Sequence, residues 1–139
     1  VQKEAAERIT ARPDNKNYTA FSVLCSLFYE CKIVKTIPAS AFWPQPNVES
    51  AAVLFKAKKE FAEYKNFKLF IKIVKALFSS RRKNIKNNLG SWMKSNGYGN
   101  KIDLVLEKAD LSGNLRAESL ALYDFLLLSD IISSLDKNK

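Results

Sequence analysis

The densest chemistry in this chain lies in Ser80-Arg81-Arg82-Lys83-Asn84-Ile85-Lys86-Asn87-Asn88-Leu89, where three consecutive cations precede a fourth and three asparagines. Arginine offers a planar fork that matches phosphate oxygens, and adjacent cations repel unless an anion compensates them. The surroundings are equally one-sided. Between Tyr64 and Ile102 there are ten basic residues (Lys65, Lys68, Lys72, Lys75, Arg81, Arg82, Lys83, Lys86, Lys94 and Lys101) and no acidic one. The whole chain is +9, and this stretch supplies the excess, since the first 60 residues hold nine basic against six acidic side chains. Such a field is the footprint of a polyanion-binding surface, nucleic acid foremost.

A second group is Phe42-Trp43-Pro44-Gln45-Pro46-Asn47-Val48-Glu49-Ser50. Two prolines stiffen it and hold the aromatics in place. Rigid aromatics near a basic surface can stack on an unpaired or flipped base; they can equally form the apolar cap of a loop packed on a sheet. Asn84, Asn87 and Asn88 can donate to phosphate or ribose oxygens, or cap helix ends. Other chemistry is excluded. The chain has no histidine, which removes the commonest general base and the commonest zinc ligand. Glu4, Glu7, Glu30 and Glu49 show no paired spacing for acid–base work or metal binding. Gly97-Tyr98-Gly99 follows no strand and lacks a third glycine, so it reads as a loop. Cys25 and Cys31 read as buried free thiols of a reducing compartment, with a disulfide as the alternative.

These residues need elements to position them. The 139 residues, 47% hydrophobic, suffice for one domain or two small ones. Periodicity predicts a helix over Gln2–Ala11 and a buried helix over Tyr18–Tyr29, with Phe21, Leu24, Cys25 and Phe28 on its packing face. Strands are expected over Cys31–Ile37 and Ser50–Ala57, the second buried on both faces. Lys58–Glu63 reads as a charged hinge. Beyond it, helices are expected over Lys65–Ser79, Lys83–Lys94, Lys101–Ala109 and Glu118–Leu135. In the first of these Phe67, Phe70, Ile71, Val74, Leu77 and Phe78 form the apolar stripe, and Lys65, Lys68, Lys72 and Lys75 the opposite face. If that helix runs on, Arg82 and Lys86 continue the basic line. The last helix should pack through Leu122, Phe125, Leu126, Ser129, Ile132 and Ser133. Two strands alone are marginal, so the first half reads as the end of a larger α/β domain. No apolar run reaches the roughly 20 residues that span a bilayer.

Several segments, in order, carry a resemblance: Val1-Gln2-Lys3-Glu4-Ala5-Ala6-Glu7-Arg8-Ile9; Tyr18 and Ser22-Val23-Leu24; Phe42 to Val53; Leu77 to Leu89; and Arg116-Ala117-Glu118-Ser119-Leu120. Together they resemble the later part of a KsgA-type ribosomal RNA small-subunit adenine dimethyltransferase. The resemblance implies an α/β remnant plus an all-α part. Residues 1–62 would be the last helices and a two-stranded piece of a Rossmann-like methyltransferase domain, and residues 63–139 a small helical RNA-binding domain.

It further implies methyl transfer from S-adenosylmethionine to N6 of two adjacent adenines near the 3′ end of small-subunit ribosomal RNA, in the cytoplasm. Phe42 matches the aromatic that stacks on the target adenine, with Trp43 in support. Arg81, Arg82 and Lys83, with Lys86, Asn87 and Arg116, match the RNA grip. The family's glycine-rich cofactor turn, ribose-holding acid and Asn-x-Pro-Tyr segment precede the point where this chain begins. The expectation is therefore a piece of the enzyme, inactive alone, with no cofactor-binding residue, no metal and a strand edge through which it could dimerise. The alternatives are a non-catalytic RNA-binding or ribosome-assembly module, and a large-subunit dimethyltransferase of the macrolide-resistance type.

Overall fold

Ala6 and Ile9 lie three residues apart, and they bury the inner face of α1 (Lys3–Thr10). The computed structural model describes residues 1–135, in two units that divide between Glu63 and Tyr64. The last four positions of the expected 63–139 domain lie outside the described residues. In the first unit α1 packs on α2 (Ala20–Phe28) and on the strands β1 (Tyr29–Ile37) and β2 (Ser50–Ala57). Ser22 ties the helices together: its hydroxyl accepts the Thr19 N–H at 3.0 Å and donates to the Arg8 carbonyl. Lys58 closes the other end of α2, its Nζ donating to Ser26 O at 2.7 Å and its N–H to Phe28 O at 2.7 Å. A cation there also suits the negative end of the helix dipole.

β1 and β2 pair antiparallel from Tyr29↔Ala57 to Ile37↔Ser50, with a register shift between Ile33 and Lys35 that leaves Val34 as the extra residue. Three expectations fail here. Tyr29 belongs to β1 rather than to the preceding helix, and the strand starts two residues before Cys31. On α2 the buried side chains are Ser22, Val23 and Leu27, not the face containing Phe21, which is 52% exposed. The small Ser22 allows the hydroxyl contacts with α1, and that turns the helix by one position. β2 is not buried on both faces: only Ala51 is, while Leu54 is 56% exposed, because among the described residues the sheet has two strands. Cys25 and Cys31 are free and half-buried rather than buried, and burial pushes both thiols above their ordinary pKa.

The second unit is helical: α3 (Phe67–Leu77), α4 (Ile85–Ser95), α5 (Ile102–Ala109) and α6 (Leu122–Ser133). α3 packs on α4 and α6, and α5 on the same two. Phe70, Leu77, Ile85, Leu89, Met93, Phe125, Leu128 and Ile132 fill the core. A short 3-10 turn at Ala117–Ser119 precedes α6, so Glu118 does not begin that helix. Ser133 is exposed and Leu128 takes its place inside. The expected apolar stripe of α3 holds in Phe70, Val74 and Leu77, with Ile73 and Ala76 added. Lys65, Lys68, Lys72 and Lys75 are all exposed. Among the described residues no helix is long and apolar enough to cross a membrane.

The start of this unit is anchored to α6. Tyr64 donates its hydroxyl to Asp130 Oδ1 at 2.6 Å, and Asn66 Nδ2 donates to the same oxygen at 3.0 Å. Burial first, then Asp130, raises the Tyr64 pKa well above its ordinary value. A raised tyrosine pKa contributes stability that is full below the unfolded value of about 10 and is lost as pH rises past it. Tyr64→Phe should therefore lower stability by about 1 kcal/mol at neutral pH, and the gap between variant and parent should narrow above about pH 10. Chemical denaturation at the two pH values checks this; a pH-independent gap would remove the hydroxyl from the account.

Candidate nucleic-acid interface

α3 cannot continue into the basic cluster, because a buried side chain holds the chain in a turn. Asn88 is 5% exposed, and its Nδ2 donates to Leu77 O and to Ser80 O, each at 3.0 Å. The Ser79 hydroxyl donates to Ala76 O at 2.5 Å and lies 3.4 Å from Asn88 Oδ1. Leu77 ends α3, and its carbonyl would otherwise be one of the orphan groups at a helix terminus. One buried amide thus satisfies the end of α3 and fixes the turn that follows. Phe78 adds a ring stacked on Phe125 at 5.8 Å. The expected helical line from Lys75 through Arg82 to Lys86 is therefore broken, and Arg81-Arg82-Lys83 stand on a turn.

α4 restarts at once. Asn84 is its N-cap, with Oδ1 accepting the Asn87 N–H at 2.9 Å. The Ile85 N–H donates to Leu115 O at 2.7 Å and the Lys86 N–H to Gly113 O at 3.2 Å. These bonds lay the 113–116 loop against the start of α4. Only glycine permits the approach: a Cβ at Gly113 would stand 2.9 Å from Lys86 Cβ and 3.2 Å from Leu106 Cδ1. The loop sets Leu115 against Ile85 and Gly113 against Lys86, and the side chains of Arg81, Arg82, Lys83, Lys86, Asn87 and Arg116 are all exposed.

Two details define what this region can do. The first N–H groups of α4 are taken by Leu115, Gly113 and Asn84, so an anion must be met by side chains and not by the helix terminus. Lys86 Nζ lies 3.1 Å from Asp103 Oδ1, an exposed pair that offsets part of its charge. Arg82 and Lys83 are thus better placed than Lys86 to meet phosphate. Residue types and spacing do not single out Asn88 and Gly113 as the positions that hold this surface. A signal for Asn88 exists all the same: it falls on the apolar side of α4 with Ile85, Leu89 and Met93.

In the other unit the Phe42 loop is tied at both ends. The Ala41 N–H donates to Pro38 O at 3.0 Å and the Phe42 N–H to Ala39 O at 3.3 Å. At the far end Lys3 donates its N–H to Glu49 O at 3.0 Å and pairs its Nζ with Glu49 Oε2 at 3.2 Å. Phe42 is 42% exposed and Trp43 97% exposed, with a cis peptide bond between Trp43 and Pro44. Trp43 is thus no cap packed on the sheet. Among the described residues no group of three His, Cys, Asp or Glu side chains is arranged to hold a metal ion.

A family model described as ribosomal RNA adenine dimethylase matches residues 1–132. The chain is 95% identical over 135 residues to a ribosomal RNA small subunit methyltransferase A of Treponema denticola, covering 97% of this chain and 46% of that protein. It is 37% identical over 137 residues to the protein of that name from Treponema pallidum, covering 97% of this chain and 48% of the relative. A crystal structure of a dimethyladenosine transferase from Plasmodium falciparum superposes with a TM-score of 0.76 at 28% identity, over 91% of this chain and 53% of that one. The 23S rRNA methyltransferase ErmE shares the fold, with a TM-score of 0.64 at 19% identity over 96% of this chain and 52% of that one. The chain spans about half the length of the curated relatives it matches.

Replacing Asn88 with alanine removes the donor to Leu77 O and one of the two on Ser80 O, which keeps the Lys83 N–H, and should cost about 1–3 kcal/mol. Gly113→Ala should cost about 1–3 kcal/mol by overpacking against Lys86. Denaturant midpoints measure both; a destabilisation under about 0.5 kcal/mol for Asn88→Ala, the range of an ordinary surface change, would show that the amide does not hold the turn.

Proposed function

Since the chain belongs to the ribosomal RNA adenine dimethylase family, we propose that it supplies the RNA grip of a methyltransferase acting on small-subunit ribosomal RNA. The observation that carries this reading is the exposed Arg81-Arg82-Lys83 turn, held by the buried Asn88 and flanked by Lys86, Asn87 and Arg116. The reaction of the whole protein is dimethylation at N6 of two adjacent adenines near the 3′ end of that RNA, with S-adenosylmethionine as donor, in the cytoplasm. Phe42, exposed on a loop tied at both ends, is the residue to which this reading assigns stacking on the target adenine. A large-subunit RNA target is favoured by no observation, because the likeness to ErmE at 19% identity concerns the fold alone.

The described residues do not fit the methyl donor. A dinucleotide-type cradle needs a glycine-rich turn leading from a parallel strand into a helix. The chain's four glycines are Gly90, Gly97, Gly99 and Gly113, none in the first unit, and its two strands pair antiparallel. No step of the transfer is therefore assigned to them. What these residues do is bind and orient RNA.

The 139-residue chain should show no measurable S-adenosylmethionine binding by calorimetry; a saturable isotherm would contradict this division of labour. Replacing Arg81, Arg82 and Lys83 with alanine should weaken binding to small-subunit ribosomal RNA. The salt slope should fall by about 0.7–0.9 for each phosphate that is no longer neutralised. An unchanged slope would remove the turn from the grip. In a protein that carries the whole methyltransferase, Phe42→Ala should reduce methyl transfer far more than RNA affinity. Equal reductions in both would make Phe42 structural. The exposed apolar side chains Val34, Leu54 and Phe55 on the ribbon should make the chain self-associate; sedimentation as a clean monomer would rule this out.

A further inference from the structure

Beside the basic turn, the end of α3 and one face of α4 enclose a groove of about 390 Å³. Ser80, Lys83, Asn87, Ser91, Trp92 and Ser95 line it. Asn87, Ser91 and Ser95 recur every four residues, so one helix face presents an amide and two hydroxyls in a row. Trp92 is half-buried and backed by Tyr98, the ring centroids 5.7 Å apart and the planes 25° apart. Gly97 and Gly99 make that backing possible, since their φ angles of 86° and 67° turn the chain tightly enough to bury Tyr98.

We propose that this groove seats one unpaired ribonucleotide of the bound RNA. The inference rests on the RNA-binding reading above and adds to it a position where the strand must be open. The lining contains no carboxylate to repel RNA and one cation, Lys83, to meet a phosphate. Its other polar groups are neutral hydroxyls and amides, which can meet a ribose 2′-hydroxyl and base edges as well as phosphate oxygens. The volume lies near the lower end of the about 300–1,000 Å³ that small-molecule pockets occupy. That is room for a single nucleotide, and an unpaired one enters without the unstacking and unpairing cost that a base in a duplex carries. The braced indole provides a stacking surface, the means by which proteins hold unpaired bases. Trp92 is thus a specificity-determining residue for open over paired RNA.

The chain's two tryptophans are Trp43 and Trp92, so a Trp43→Phe variant makes Trp92 the sole reporter. This variant is titrated with an unpaired RNA of about eight nucleotides, within the usual site size, and with an RNA duplex of equal length. The unpaired strand should quench Trp92 emission, and the duplex should bind through the cations without quenching. Trp92→Ala in the otherwise unaltered chain should weaken affinity for the unpaired strand by about 5- to 100-fold and leave that for the duplex almost unchanged. The double variant Ser91→Gln and Ser95→Gln, at two exposed positions, should fill the groove and reproduce the weakening even where Trp92→Ala fails to fold. Unquenched emission, together with full affinity in the filled variant, would overturn the proposal while leaving the salt-dependent grip of Arg81 to Lys83 in place. A chain that binds neither RNA would overturn both.

Discussion

Everything distinctive in the helical unit depends on one neutral side chain, the amide of Asn88. Its two N–H groups close the carbonyls of Leu77 and Ser80, and its oxygen lies 3.4 Å from the Ser79 hydroxyl. A buried amide of this kind is costly unless every group is satisfied, and once satisfied it specifies one local geometry. That geometry ends α3, exposes Arg81, Arg82 and Lys83 on a turn, and lets α4 begin at Ile85. Charge thus does not place the charges. Three adjacent cations would drive a free segment apart, and a network without net charge holds them in position.

The same geometry fixes the character of the grip. Because the first N–H groups of α4 are bonded inside the protein, a phosphate at this turn would meet exposed side chains and no preformed amide nest. Binding of that kind is strong at low salt, weak at high salt and indifferent to base sequence. Selectivity must come from elsewhere. The groove along Asn87, Ser91 and Ser95 with its braced Trp92 is uncharged apart from Lys83, and in our proposal it reads whether a base is free. The small-subunit methyltransferase relatives give this surface its context, and the fold it shares with a dimethyladenosine transferase gives it a scaffold.

Much of this is legible in the residues alone. The acid-free stretch from Lys65 to Lys101 reveals the electrostatics, because charge is a sum and needs no fold. Helical periodicity locates α3, α4 and α5 to within a few residues, since their stripes of Phe70, Val74 and Leu77 or Leu89 and Met93 bury against one another. What stays hidden is where a neighbour overrides local preference. The break after Leu77 depends on an amide eleven residues on, and Gly113 matters only because Lys86 lies against it. β2 reads as doubly buried because apolar residues promise burial without saying what covers them; in the fold Leu54 and Phe55 are exposed. Trp92 gives no signal, since its use depends on the Gly97–Gly99 turn that sets Tyr98 behind it.

The central claim is that the Asn88-held turn and its neighbours, and not the lysine face of α3, contact the RNA. Ultraviolet cross-linking of the chain to small-subunit ribosomal RNA, followed by mapping of the linked peptides, tests it most directly. Cross-links should concentrate in residues 79–95 and 112–116. Cross-links confined to residues 65–75 would contradict the account, for the grip would then be a helix face that Asn88 does not hold.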